Sequence, residues 1–110
     1  MDVRAQMQAD LKTAMKDRDS STVAVLRATL GALANAEAVT APTGPVSFTA
    51  AAGATEAARR ELTDDDVRAI VERERDELLV AADERASLGL PDDASALRVQ
   101  AALLERYLEC

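Results

Sequence analysis

An apolar side chain falls on every fourth residue at the start of this chain: Val3, Met7, Leu11 and Met15, with Ala14 beside them. A half-buried strand repeats every second residue, so this spacing predicts a helix from about residue 2 to 16 with one face turned toward a core. Arg4, Gln8, Lys12 and Lys16 form the polar stripe next to it. Asp17, Arg18 and Asp19 break the pattern, and Asp19 or Ser20 is suited to cap a second helix by accepting a backbone N–H bond. That helix is expected to run to about Val39 and to bury Val23, Leu26, Leu30, Leu33 and Ala34. Two helices on so short a link form an antiparallel hairpin.

Residues 40–60 carry no helical period. Pro42, Gly44 and Pro45 stop the second helix, and small residues follow. We expect a loop insertion here, either tolerated or used to anchor a partner through Val46 and Phe48. LTDDDV, residues 62–67, is the strongest local signal. Thr63 suits an N-cap with Asp66 completing a capping box, and Leu62 and Val67 occupy the positions of a hydrophobic staple. Asp64, Asp65 and Asp66 then sit at the positive end of the helix dipole, which accounts for them without a metal. The third helix continues through Val67, Ile70, Val71, Glu74, Leu78 and Ala81–Ala82 to about Ser87, roughly 37 Å. Gly89 and Pro91 mark its end and the next beginning. Asp92 and Asp93 open a fourth helix with Leu97, Ala101, Leu104 and Leu108 on one face. The expected fold is all-α: one domain over residues 1–110, with four main helices in an antiparallel bundle-like packing and a long loop between the second and third.

Charge is uneven along the 110 residues. Residues 1–40 hold five cations and five acids, whereas residues 56–110 hold eight cations and fifteen acids, which gives the net −7. An acidic chain is repelled overall by nucleic acid and by anionic membrane. Any RNA contact is therefore expected to be local and on the N-terminal half, where Lys12, Lys16 and Arg18 cluster. The one cysteine, Cys110, excludes an intrachain disulfide and suits a cytoplasmic location. MDVRAQMQAD contains no apolar run of the signal-peptide kind, and no stretch approaches the roughly 18 apolar residues of a membrane span.

Catalytic chemistry finds no foothold. The chain has no histidine, so His-based acid–base catalysis and Ser-His triads are excluded. One cysteine makes no thiolate zinc site, and there is no phosphate-cradling glycine loop. No cofactor is expected. The carboxylates Glu72, Asp76 and Asp83 alternate with Arg68, Arg73 and Arg75, as on a solvated face laced with ion pairs.

Arg27 is different. It stands in VLRATLGALANAEA with no carboxylate three or four residues away. Glu74 is its counterpart, a lone carboxylate on the apolar stripe of the third helix. If the second and third helices run antiparallel, Glu74 comes level with Ala28. The expectation is a buried Arg27–Glu74 ion pair clamping the helices; the rival is that Arg27 binds a phosphate.

AMKDRDSSTVAVLRATLGALANAEA, residues 14–38, resembles the opening of the YqeY family: Met15-Lys16 with Asp19, then Leu26-Arg27, then Asn35-Ala36-Glu37. LTDDDV resembles the family's "LTDEEV", Glu74 falls on its "KE" glutamate, Gly89 on the "AGR" glycine and Tyr107-Leu108 on "YLP". YqeY proteins are similar to the tail of GatB, a subunit of the glutamine-dependent tRNA amidotransferase. The resemblance implies a helical, non-catalytic accessory module of that carbon–nitrogen ligase, with tRNA or an amidotransferase subunit as partner, and with the family's second domain absent. Ala34, Asp76, Glu77 and Leu90 replace the family's basic or polar residues, which implies weak RNA binding. The alternative is a helical protein–protein interaction domain that has kept the frame and lost the RNA role.

Overall fold

The computed structural model describes residues 2–38 and 61–109, and within them the chain is all-helical. Four helices are present among the described residues: α1 (Val3–Lys16), α2 (Ser20–Glu37), α3 (Asp64–Ser87) and α4 (Pro91–Leu108). The loop expected at residues 40–60, with Val46 and Phe48, lies outside the described residues, as does Cys110.

Each helix starts for a local chemical reason. Asp2 caps α1 by accepting from the Arg4 amide at 3.1 Å. Asp19 caps α2, taking the Thr22 amide at 3.2 Å and the Thr22 hydroxyl at 2.6 Å. The capping box of α3 is complete: the Asp66 amide donates to Thr63 Oγ1 at 3.1 Å, and the Thr63 amide donates to Asp66 Oδ2 at 3.0 Å. Pro91 opens α4, where its missing N–H costs nothing and its fixed φ already suits a helix.

Two tight reversals fold the helices into hairpins. After α3, Gly89 takes φ 75°, its amide donates to the Ala86 carbonyl, and the Leu90 amide reaches back to Arg85 at 2.9 Å. This is a Schellman closure, with glycine in the left-handed position that it alone occupies freely. The α1–α2 reversal uses the same pattern. The Arg18 amide donates to Met15 O, and the Asp19 amide to Ala14 O at 3.0 Å, but the left-handed residue is Arg18, at φ 57°.

The two hairpins pack into one core. Met7, Val25, Leu26, Val71, Leu104 and Leu108 are buried together, ringed by Val3, Leu11, Leu30, Val67, Leu78, Leu103 and Tyr107. Leu33 and Ala101 are also buried. Two details depart from the apolar spacing. Met15 is 50 % exposed while Ala14 is buried. Four residues overshoot a 3.6-residue turn by about 40°, so three such steps carry Met15 roughly a third of the way around from Val3. On α2, Val25 and Thr29 are fully inside, Val23 and Leu30 are half-buried, and Ala34 is exposed. Thr29 tolerates burial because its hydroxyl donates to the Val25 carbonyl at 2.8 Å.

Polar ties join the helices at their edges, two within the hairpins and one between them. Arg4 Nη1 meets Glu37 Oε2 at 2.9 Å, joining the start of α1 to the end of α2. Arg68 Nη1 donates to the Leu108 carbonyl at 2.8 Å, satisfying an end group of α4 from α3. Gln100 Nε2 donates to the Ser21 carbonyl at 3.0 Å, tying α4 to the first turn of α2. The outer face of α3 carries the expected exposed pairs, Arg68–Glu72 at 3.2 Å and Arg75–Asp76 at 2.9 Å, and Arg98 on α4 reaches Asp83 at 3.6 Å.

Candidate functional site

The expected Arg27–Glu74 clamp does not form. Arg27 is exposed, and its Nη2 lies 3.9 Å from the Met15 sulfur on α1. Glu74 faces α2 at the expected level, lining one cleft with Ala24 and Ala28 and another with Ala32 and Asn35. The axial level is therefore as anticipated, but the angular position is not. Successive helical residues are turned by about 100°. Ala24, Ala28 and Ala32 face α3, so Arg27, one residue from Ala28, is rotated away toward α1.

This rotation changes the end of the first hairpin. Lys12, Met15 and Lys16 are spaced i, i+3 and i+4 on α1, so their side chains share one surface of its last turns. Arg27 lies over Met15 from α2, and Arg18 stands in the reversal just beyond. Lys12, Lys16, Arg18 and Arg27 are all exposed. None has a carboxylate within ion-pairing distance among the described residues.

Two of the acids interleaved with these cations are engaged elsewhere. Asp10 accepts the hydroxyl of Tyr107 on α4. Asp19 caps α2, and its bonds from the Thr22 side chain and amide hold its carboxyl below the usual range, keeping it charged but directed at backbone. Only Asp17 is left without such a role. Arg27 adds a fourth cation to the tip, and Asp19 keeps its negative charge beside the cluster. The sequence expectation for Arg27 is a clamp and not an RNA contact; its lack of a carboxylate one turn away is the visible signal, and phosphate binding the rival reading.

The groove between α2 and α3 has a different character. Ala24 and Ala28 face Glu74, Glu77 and Leu78 across a cleft of about 220 Å³. Burial raises the Glu74 carboxyl above its ordinary value, the nearby Glu77 charge adds to this, and Arg73 partly offsets it. A second cleft of about 570 Å³ between α1 and α4 is lined by Val3, Gln6, Asp10, Leu103, Arg106 and Tyr107. Burial, more than the Asp10 hydrogen bond and charge, pushes the Tyr107 phenol far above its usual range, so it stays protonated.

Among the described residues no group of three or more acids, histidines or cysteines is arranged to hold a metal ion, and no helix is long and apolar enough to cross a membrane. Comparisons with protein-family models, curated proteins and solved structures find no match.

Proposed function

We propose that this chain is a non-catalytic helical module that binds tRNA weakly through the tip of its α1–α2 hairpin, as an accessory of glutamine-dependent tRNA amidotransferase, a carbon–nitrogen ligase. The observation that carries the RNA half of this reading is the tip itself: four exposed cations, Lys12, Lys16, Arg18 and Arg27, without carboxylate partners among the described residues. The amidotransferase half rests on the resemblance of residues 14–38 and 62–67 to the YqeY family. The site belongs to the cytoplasm in this reading, where tRNA and the ligase meet.

With Asp17 and Asp19 beside the four cations, about two or three phosphates are neutralised, so binding is electrostatic and shallow in salt. Filter binding of bulk tRNA should give a slope of log affinity against log salt of about −2 to −3, and a dissociation constant near 10⁻⁴ M or weaker at physiological salt. The double change Lys12→Glu with Lys16→Glu should abolish retention while leaving the helical signal intact. Retention unaffected by that change would remove the tip from the function.

A second reading, a protein–protein interaction domain, is favoured by one specific observation. Val80, Leu88 and Val99 are 59, 72 and 65 % exposed, all on the α3–α4 hairpin, with Leu79 and Leu90 about 40 % exposed beside them in sequence. Absence of tRNA binding together with a stable complex with an amidotransferase subunit that Val80→Glu disrupts would establish that reading over the first.

A further inference from the structure

The two methionines within the described residues occupy opposite environments. Met7 is fully buried at the centre of the core, whereas Met15 is half exposed at the hairpin tip. The thioether of Met15 is also the acceptor facing Arg27 Nη2 at 3.9 Å. A thioether sulfur accepts weakly, so this contact guides the guanidinium without fixing it. An oxygen placed on that sulfur would change the balance. A sulfoxide oxygen is strongly polar, and a hydrogen bond from a permanently charged guanidinium is roughly twice as strong as a neutral one.

We infer that Met15 is a peroxide-sensitive modification site whose sulfoxide fastens Arg27 to α1 and withdraws it from the anion-binding tip. The sulfur lone pair attacks one peroxide oxygen; an S–O bond forms as the O–O bond breaks. The sulfur is oxidised by two electrons, and the peroxide is reduced to water after proton transfer. No other reactant is needed, and methionine sulfoxide reductases reverse the change. Met7 is spared because peroxide reaches it only when the core opens. The modification and the fastening stand on the geometry of Met15 and Arg27; the effect on anion binding rests on the function proposed above.

The test uses the full chain and dilute hydrogen peroxide, with peptide mapping by mass spectrometry. Met15 should gain oxygen at least about tenfold faster than Met7, since susceptibility follows exposure. Equal rates would overturn the site. Phenylglyoxal labelling of Arg27 should then fall several-fold in the oxidised chain, and recover on treatment with sulfoxide reductase. Unchanged or increased labelling would overturn the fastening, even with Met15 oxidised. Met15→Leu should remove the response of Arg27 to peroxide altogether; a response that persists would assign it to another residue. Finally, oxidation should make the salt slope of bulk tRNA binding shallower by about 0.9, the share of one cation. An unchanged slope would overturn the withdrawal. If the reduced chain binds no tRNA, the proposed function fails, and mapping and labelling still decide the modification and the fastening.

Discussion

Tyr107 donates its phenolic hydrogen to the Asp10 carboxylate, so that α4 is joined to α1 across 97 positions of sequence. Tyr107→Phe keeps the ring in the core and strands a part-buried acceptor. It should cost about 1–3 kcal/mol, read from the midpoint of urea denaturation. The pair also sets an alkaline limit. The phenol is held protonated in the folded chain and ionises freely near pH 10 when unfolded, so the folded state binds the extra proton. Stability is therefore full below about pH 10 and declines as pH rises beyond it. Tyr107 is the single tyrosine, so phenolate absorbance reads it alone and should rise together with loss of helical signal. Phenolate appearing near pH 10 with the helices intact would contradict this.

Arg27→Ala should be nearly silent in stability. A buried clamp would have cost roughly 3–5 kcal/mol. An exposed guanidinium over a thioether predicts a change within about 0.5 kcal/mol, measured by thermal or urea unfolding. The same substitution should make the salt slope of tRNA binding shallower by about 0.9.

Thr63→Ala removes one half of the capping box and should destabilise the chain by about 1 kcal/mol, with unfolding by urea as the measure. Thr63→Ser, which keeps the hydroxyl, should recover most of the loss.

Glu74→Gln should raise stability at neutral pH. The folded chain holds the Glu74 proton more tightly than the unfolded one, because burial and Glu77 both oppose the charge. Wild-type stability therefore falls as pH rises from the ordinary carboxylate range through the raised value. The advantage of the glutamine should shrink as pH is lowered and vanish where Glu74 is protonated in both states. Melting temperatures from pH 3 to 7 would show the two curves converge. Asp19 has the opposite sign: its lowered value makes its contribution present at neutral pH and lost in acid.

What the sequence made legible was local. Capping residues act within one turn of themselves, so Asp19, Thr63 with Asp66, and Gly89 with Pro91 announced the helix ends that form. Burial on α1 and α2 was legible only to within a rotation. A spacing of four drifts against a turn of 3.6, which moved Met15 outward, and α2 is covered from more than one side, which drew Val25 and Thr29 inside. The candidate site was half legible. Lys12, Lys16 and Arg18 were readable as a cluster because they are near in sequence. Arg27 joined them, and Asp10 left them, through contacts with other helices. The Arg68 bond to the Leu108 carbonyl and the Gln100 bond to Ser21 span helices in the same way, and no local rule encodes them.

Arg18 occupies the reversal position that Gly89 fills in the second hairpin, at φ 57° against 75°. An L-residue with a side chain is strained there by about 1–2 kcal/mol, and glycine is not. Arg18→Gly should accordingly stabilise the chain, by about 0.5–1 kcal/mol once the greater freedom of glycine in the unfolded state is counted. It would also strip a positive charge from the tip. If the tip binds a polyanion as proposed, thermostability and affinity pull in opposite directions at Arg18. Selection for heat resistance alone should then arrive at glycine, and an arginine retained there would be the mark of selection for binding.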